Sequence, residues 1–287
     1  MVTKNRIRLT GLLTRSPRLA RASLCALVVV GSAAAAPPGV NAPIPTEPEP
    51  LARTLVQTTA DLEQAIGGWS PKSIVAPQPV VLHALYQQRI YRLLTRDARL
   101  ATRTLALVPR DLAKVSRDLL AAQRELYRLT PSIGFQTIKV ARPRPAPELL
   151  SYYREAQLRF KVQWNVLAAV NFVETKFGKL RSASAAGAQG PMQFMPATWR
   201  RYGLGGNVHD AHDAILGAAN YLHASGAPQD LRNALHHYNP SSAYVDAVVR
   251  YARRIGADRS MFYALYSWQV FVKTRRGDRR VTGPGLP

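Results

Sequence analysis

One apolar segment constrains the fold of this chain more than any other stretch of the sequence. The run WNVLAAVNFV spans Trp164 to Val173 and contains two amides and no charged residue. A helix that is apolar around most of its circumference is normally buried in the core. The run ends at a carboxylate, Glu174, and Gly178 follows shortly after it. A buried carboxylate is costly unless another group pairs with it or a reaction uses it.

The helical period gives Glu174 an apolar setting. Leu167, Val170 and Asn171 share its face of the helix. We expect these surroundings to raise the pKa of the carboxyl group, so that it keeps a proton near neutral pH and can donate it to a glycosidic oxygen. Gly178 can adopt a positive φ and end the helix, which places Glu174 in the last turn. The alternative is a surface glutamate paired with one of the two lysines that follow it.

The first residues predict export. Six basic and no acidic residues precede the apolar run ASLCALVVVGSAAAA, and two prolines follow that run. This order is typical of a signal peptide, which we assign to residues 1–36, and an uncleaved anchor is the alternative. The location predicted is therefore periplasmic, cell-wall associated or extracellular. Cys25 is the only cysteine and lies inside the apolar run, so cleavage would leave a chain without disulfides, Cys-bound zinc or a cysteine nucleophile.

The net charge points to an anionic partner. Lys and Arg number 39 against 17 Asp and Glu, which gives a formal net charge of +22. Such a balance favours nucleic acid, anionic lipid or acidic wall polymers. An exported protein of this charge meets envelope polymers rather than DNA, so no nucleic acid is expected as a partner.

Proline-rich segments divide the rest of the chain. They predict linkers at residues 37–50 and 136–148, a basic helical module at 51–135, a catalytic domain at 149–256, and a C-terminal helix with a basic tail at 257–287.

Local patterns predict the elements of the helical module and of the tail. The module is expected to hold an amphipathic helix from Leu51 to Ile66, followed by helices over Leu82–Val108 and Pro109–Leu129 that form a hairpin. In the tail, VFVKT and RRVT flank Arg276-Gly277-Asp278 and predict a small β-hairpin with a basic turn.

Basic residues line one face of each of the two longer predicted helices. We interpret these faces as solvated surfaces opposite an apolar core, and the alternative is a docking face for anionic wall polymers or a membrane surface. The residues are Arg89, Arg92, Arg96, Arg99 and Arg103 on the first helix, and Arg110, Lys114, Arg117, Arg124 and Arg128 on the second.

A loop rich in small residues lies downstream of Glu174. SASAAGAQGPMQFMPATWRRYG runs from Ser182 to Gly203, and its glycines allow tight turns. Met192 and Gln193 add an apolar floor and an amide, which together suit a sugar-binding cleft. Met192 could equally fill the core.

Three motifs in order carry a family resemblance. ETKFG, GAQGPMQFMPATW and HYNPSSAYVDAVVRYA resemble the motifs of lytic transglycosylase SLT domains, over about residues 149–254. GPMQFMPATW also resembles the membrane-bound lytic transglycosylase B branch. The resemblance implies a mainly α protein, with a lysozyme-like catalytic domain behind the amphipathic helical module.

The resemblance also assigns roles to residues. Glu174 matches the single catalytic acid/base, and Thr175 stands where serine is common. Gln193 matches a residue that contacts substrate, and Tyr238 and Asn239 match a Tyr-Asn pair that lines the site. The predicted substrate-binding residues are thus Thr175, Met192, Gln193, Tyr238 and Asn239. The sequence departs from the family pattern at His237 and Pro240, on either side of that pair.

The implied reaction cleaves the β-1,4 bond between N-acetylmuramic acid and N-acetylglucosamine in peptidoglycan glycan strands, and it leaves 1,6-anhydromuramoyl ends. Most glycosidases use two carboxylates. Here no Asp or Glu lies between Glu174 and Asp210, which fits one residue acting as acid and then as base. The alternatives are a hydrolytic muramidase and a non-catalytic wall-binding protein.

No cofactor and no metal are expected. The segment NVHDAHDAIL holds two histidines and two aspartates, but their spacing fits no zinc pattern. An N-cap at Asp210 or Asp213, for a helix that runs to Leu222, explains most of it.

Overall fold

The apolar run forms the central helix of the structure. In the computed structural model, α6 spans Trp164–Thr175, and all seven residues from 166 to 172 are buried. Four other helices, α5, α8, α10 and α11, pack around it. The prediction of a buried helix is confirmed, and its cause is the lack of any polar face that could be left in water.

The structure describes residues 36–70, 72–132 and 138–286. The predicted signal segment, residues 1–36, lies outside them except for its last residue. Within the described residues the fold is mainly α, as predicted, with a single two-stranded hairpin. The helices are α1 Pro48–Gly67, α2 Gln78–Arg96, α3 Ala98–Leu105, α4 Arg110–Leu129, α5 Ala146–Phe160, α6 Trp164–Thr175, α7 Pro196–Tyr202, α8 Ala211–Ala224, α9 Leu231–Tyr238, α10 Ser242–Ala257 and α11 Arg259–Ser267; the strands are β1 Phe271–Thr274 and β2 Gly277–Arg280.

The predicted helix over 82–108 is wrong in one respect, because it is two helices. Asp97 adopts an extended conformation, with φ −111° and ψ 96°, between α2 and α3. Its carboxylate accepts the backbone N–H of Leu100 at 2.8 Å. An aspartate that caps the next helix stabilises the break, whereas the apolar period alone continues through it.

The basic helices pack directly on the helices that follow them. α4 lies along α10, and both α1 and α2 contact α11. Gln88 of α2 and Gln269 exchange two buried hydrogen bonds, each 2.8 Å long. The described residues therefore belong to one compact unit.

The proline-rich segment before α1 lies against α2. The Arg89 guanidinium donates to the carbonyls of Val40 and Ala42, and the Tyr86 hydroxyl donates to the Pro43 carbonyl at 2.7 Å. Residues 40–43 are therefore held by side chains of the helical module.

The predicted C-terminal hairpin is confirmed. Phe271 pairs with Arg280 and Thr274 with Gly277, in antiparallel register. Asp278, the acid of the Arg-Gly-Asp tripeptide, bonds to the guanidinium groups of Arg92 and Arg96. Its side chain is only 2% exposed, so this acid is part of an internal contact between the hairpin and α2.

None of the helices in the described part of the chain is both long and apolar enough to cross a membrane.

Candidate active site

Glu174 lies in the last turn of α6, as predicted. The helix ends at Thr175, and Lys176 is its C-cap with φ 53°. Phe177 and Gly178 also have positive φ, at 62° and 79°. The left-handed turn thus begins two residues before the glycine that was expected to end the helix. Two non-glycine residues in this region are uncommon, and they turn the chain sharply behind the carboxylate.

Burial raises the pKa of Glu174 to about 7. Two neighbours oppose this effect: the Tyr244 hydroxyl donates to Oε1 at 2.7 Å, and the positive charge of Lys176 favours the ionised form. Loss of hydration outweighs both neighbours. The carboxyl group is therefore protonated in about half the molecules near pH 7, which suits a general acid.

Thr175, the next residue, is buried and bonds to the downstream loop. It is 1% exposed, and its hydroxyl donates to the Pro191 carbonyl at 2.6 Å while it accepts the N–H of Gly178 at 2.8 Å. Asn171 also reaches the Pro191 carbonyl, through its amide at 2.8 Å. Both side chains thus fasten the downstream loop to α6.

Met192 lies in the same loop. Its side chain is fully buried, and its carbonyl accepts the Tyr238 hydroxyl at 2.7 Å. The alternative interpretation of Met192 as core filler therefore describes its side chain. Its backbone, through Tyr238, connects the loop to the end of α9.

Gln193 is partly exposed beside this core. Its backbone is left-handed, with φ 51°, and its side-chain N–H donates to the Gly190 carbonyl at 2.9 Å. Gly190 itself has φ 73°, and a Cβ there would lie 1.8 Å from the Val208 carbonyl oxygen. Glycine is required at this position, because the loop that presents Gln193 passes so close to residue 208.

Tyr238 and Asn239 lie where α9 ends. Burial raises the pKa of Tyr238 well above its usual value, and the charge of Glu174 adds to this shift. Asn239 follows in extended conformation, and its carbonyl accepts the N–H of Ser241 at 2.7 Å, just before α10.

Tyr244 is a site residue that sequence reasoning missed. It lies in the first turn of α10, where the Ser241 hydroxyl caps the helix by accepting the Tyr244 N–H at 3.4 Å. The sequence signal is a capping serine three residues before a tyrosine. That signal predicts where the helix starts but not what the ring meets, since the contact joins residues 70 positions apart.

Aromatic rings continue from Tyr238 away from the carboxylate. Ring centroids are 5.6 Å apart for Tyr221 and Tyr238, 4.7 Å for Tyr202 and Tyr221, and 5.9 Å for Phe194 and Tyr238. Tyr202, Tyr221 and Tyr238 are partly exposed, so this row offers apolar faces next to polar hydroxyls. Such a surface suits the faces of sugar rings.

The aspartates and His212 downstream of the loop serve the backbone and one surface contact. Asp210 caps α8 by accepting the N–H groups of His212 and Asp213, as the sequence predicted. Asp213 accepts the N–H of Asn207, and the His212 ring contacts Glu155 at 2.9 Å. All three side chains therefore have hydrogen-bond partners within the described residues, and their potential ligand atoms lie within 4.8 Å of one another.

Comparisons with known proteins match this site. Residues 151–259 match the family model of the transglycosylase SLT domain. The chain is 29% identical over 125 residues to a membrane-bound lytic murein transglycosylase F from Thiobacillus denitrificans, a match that covers 41% of this chain and 26% of the relative. The chain thus spans about a quarter of that relative's length. No solved structure matches. The segment that matches the transglycosylase SLT domain includes Glu174, Gln193, Tyr238 and Tyr244.

Proposed function

We propose that this protein is a peptidoglycan lytic transglycosylase. It cleaves the β-1,4 bond between N-acetylmuramic acid and N-acetylglucosamine and forms 1,6-anhydromuramoyl ends. The observation that carries the proposal is a single carboxyl group, Glu174, whose pKa is raised to about 7 inside an SLT domain. The relative's name, a murein transglycosylase, supports the same substrate.

The first step is proton donation. The Tyr244 hydroxyl donates a hydrogen bond to Oε1 of Glu174 and so fixes the plane of the carboxyl group. The proton then resides on Oε2, from which it passes to the glycosidic oxygen as the bond breaks. Tyr244 also stabilises the carboxylate that this transfer leaves behind.

The second step uses the same residue as a base. Among the described residues, no other carboxylate contributes to the shifted pKa of Glu174, which favours a mechanism with one acid/base. The N-acetyl group of the substrate stabilises the cation, and ionised Glu174 takes the proton from the muramoyl 6-hydroxyl. The oxygen of that hydroxyl closes the anhydro ring, and Glu174 returns to its protonated state.

Substrate binding falls to the groups around the carboxyl. Gln193 and Asn239 offer amides, and the row from Tyr238 to Tyr202 offers ring faces. No cofactor takes part in this scheme.

The test is digestion of purified sacculi by the wild type and Glu174→Gln. The variant should be at least about a hundredfold slower, because the amide cannot donate the proton. Glu155→Gln is the matched control, since its side chain is 53% exposed on α5 of the same unit. Mass spectrometry of the wild-type products should show glycan ends one water lighter than reducing ends.

Three results would contradict the proposal. If Glu174→Gln cuts as fast as the wild type, Glu174 is not the acid. If all ends are reducing ends, the protein is a hydrolytic muramidase on the same fold. Binding to sacculi with no products from the wild type would indicate a non-catalytic wall-binding protein.

The proposed location is the exported side of the membrane, periplasmic or cell-wall associated. Peptidoglycan lies on that side of the membrane, and the relative is named as membrane-bound. Residues 1–36 have the pattern of a signal peptide, which is consistent with export. Anionic wall polymers or a membrane surface are the proposed partners of the exposed basic residues, with binding that weakens as salt rises. These residues are Arg99, Arg103, Arg110, Lys114, Arg117 and Arg128.

A further inference from the structure

A second pocket lies beside α6. It has a volume of about 130 Å³ and is lined by residues of α2, α4, α6, α10 and the C-terminal hairpin. Phe172 of α6 and Lys176, the C-cap of that helix, line it, and they flank Glu174 in sequence. Tyr244, the partner of Glu174, does not line it, so the pocket is separate from the candidate active site.

Four cations and one acid line this pocket. The cations are Arg92, Arg96, Lys176 and Lys273, and the acid is Asp278. Both arginines bond to the same oxygen of Asp278. The lining thus has an excess of three positive charges in a partly buried space, where screening by solvent is weak. Such a site attracts an anion.

The rings of the pocket hold three of these cations in place. The Arg92 guanidinium lies 4.2 Å from the centre of the Phe271 ring, Lys176 Nζ lies 4.2 Å from that of Phe172, and Lys273 Nζ lies 4.4 Å from that of Tyr127. Contacts with ring faces orient a cation without neutralising its charge.

Each lysine also has one carbonyl partner. Lys176 donates to the Phe172 carbonyl at 3.0 Å and Lys273 to the Thr130 carbonyl at 3.3 Å. An ammonium group has three N–H donors, so donors remain on both residues for a further acceptor.

Two lining residues have unpaired N–H donors that suit an anion. The Trp268 indole N–H and the Gln123 side-chain NH₂ are buried and have no hydrogen-bond partner among the described residues. Trp268 is 2% exposed. A buried donor without an acceptor is costly, and an oxygen of a bound molecule would satisfy it. Asp278 Oδ1 is also unpaired and would accept a hydroxyl or amine of the same molecule.

We propose that this pocket binds a small organic oxyanion, a carboxylate or phosphate group on a flat apolar body. Arg96, Lys176 and Lys273 bind the oxyanion, the Trp268 and Gln123 N–H groups donate to it, and the aromatic rings contact the body. The basic face of α2 thus has a specific use, because Arg92 and Arg96 belong to the pocket. This proposal does not depend on the reaction at Glu174.

The test is a titration of the full chain labelled with ¹⁵N, followed through the indole N–H signals of its four tryptophans. The probes are benzoate, phenyl phosphate and benzamide, the last being a neutral molecule of the same shape as benzoate. We expect benzoate or phenyl phosphate to shift the Trp268 signal with a Kd on the order of millimolar, as suits so small a ligand. Whichever of these two probes binds more tightly identifies the anionic group of the ligand as a carboxylate or a phosphate. Trp268→Phe assigns the signal.

Variants locate the anion. Arg96→Gln and Lys273→Gln should each weaken binding about tenfold, through loss of a charge-assisted hydrogen bond. Arg96 is 51% exposed and Asp278 keeps its bond to Arg92 without it, so we expect the variant to fold. Arg99→Gln is the matched control, because it removes the same charge from an exposed position outside the pocket and should leave Kd unchanged. Three results would overturn the proposal: no shift with either anion, equal binding of benzamide, or wild-type Kd values in both pocket variants.

Discussion

The protonation state of Glu174 is the residue-scale property on which the proposed chemistry depends. Burial raises its pKa to about 7, against Tyr244 and Lys176, which lower it. The charge of Lys176 is itself weakened by burial, since its pKa is lowered to about 8. Burial thus keeps the proton on Glu174 and also weakens the positive charge of Lys176 beside it.

The raised pKa predicts a pH-dependent effect of Glu174→Gln on stability. The folded state holds a proton on Glu174 up to about pH 7, whereas the ordinary value is 4.5. The wild type therefore loses stability as pH rises from about 4.5 to about 7, because ionising the buried group opposes folding. Between about pH 4 and pH 8 the variant should gain up to about 3 kcal/mol relative to the wild type.

Urea denaturation at both pH values measures this difference. Glu49→Gln is the control, because its side chain is 74% exposed and should show no such trend. A Glu174→Gln variant whose relative stability stays constant across this range would mean that the carboxyl group is not desolvated.

Gly190 and Gly187 form a matched pair at the residue scale. Both have positive φ, but a Cβ at Gly187 meets nothing within 4 Å, whereas at Gly190 it meets the Val208 carbonyl. Gly187→Ala should cost about 1 kcal/mol, from backbone strain alone. Gly190→Ala should cost about 1–3 kcal/mol more and reduce activity, since the loop that carries Gln193 must move. Thermal unfolding and sacculus digestion measure the two effects, and equal costs would contradict the close approach.

At the scale of elements, one acid joins α4 to α10. Asp118 is 9% exposed, accepts from Arg253 at 2.7 Å and Arg254 at 2.6 Å, and lies 3.4 Å from Arg250. Burial by itself would raise the pKa of Asp118, but the arginines outweigh it and hold the pKa below its usual value. α4 and α10 therefore interact through charge as well as apolar packing.

Asp118→Asn should destabilise the protein by about 2 kcal/mol near neutral pH, because it removes charge-assisted hydrogen bonds and leaves three arginines without their partner. The wild-type contribution is present above pH 3.8 and is lost as pH falls through the depressed pKa, so the variant and the wild type should converge in acid. Urea denaturation at several pH values tests this. Glu125→Gln, on the same helix with a partner at 3.4 Å, should change little. No loss in Asp118→Asn would indicate that apolar packing alone joins the helices.

At the scale of the whole molecule, contacts between distant segments predict cooperative unfolding. Trp69, which follows α1, lies 4.9 Å from the Tyr263 ring of α11, and Gln88 and Gln269 bond reciprocally. Tryptophan fluorescence and far-UV circular dichroism should therefore give coincident thermal transitions. Two separated transitions would instead identify residues 51–135 as an independent domain, as the linkers of the sequence suggested.

Local patterns in the sequence were sufficient to predict the helical class, the buried helix α6 and the position of Glu174 in its last turn. An apolar run of this length must be buried in any fold. Each motif is recognised from residues that lie close together in the sequence. The helix break at Asp97 was missed because the apolar period continues through this residue. The Asp97 side chain caps the next helix and so stabilises the break.

The tertiary structure alone decided which groups meet. It brought Tyr244 to Glu174, turned Thr175 and Met192 inward, and placed Asp278 beside two arginines about 180 residues away. Such pairings depend on the path of the backbone between the residues, and the spacing within a motif does not encode that path. The sequence by itself determined that a carboxyl group, Glu174, ends an apolar helix. The tertiary structure determined the neighbours that set its pKa.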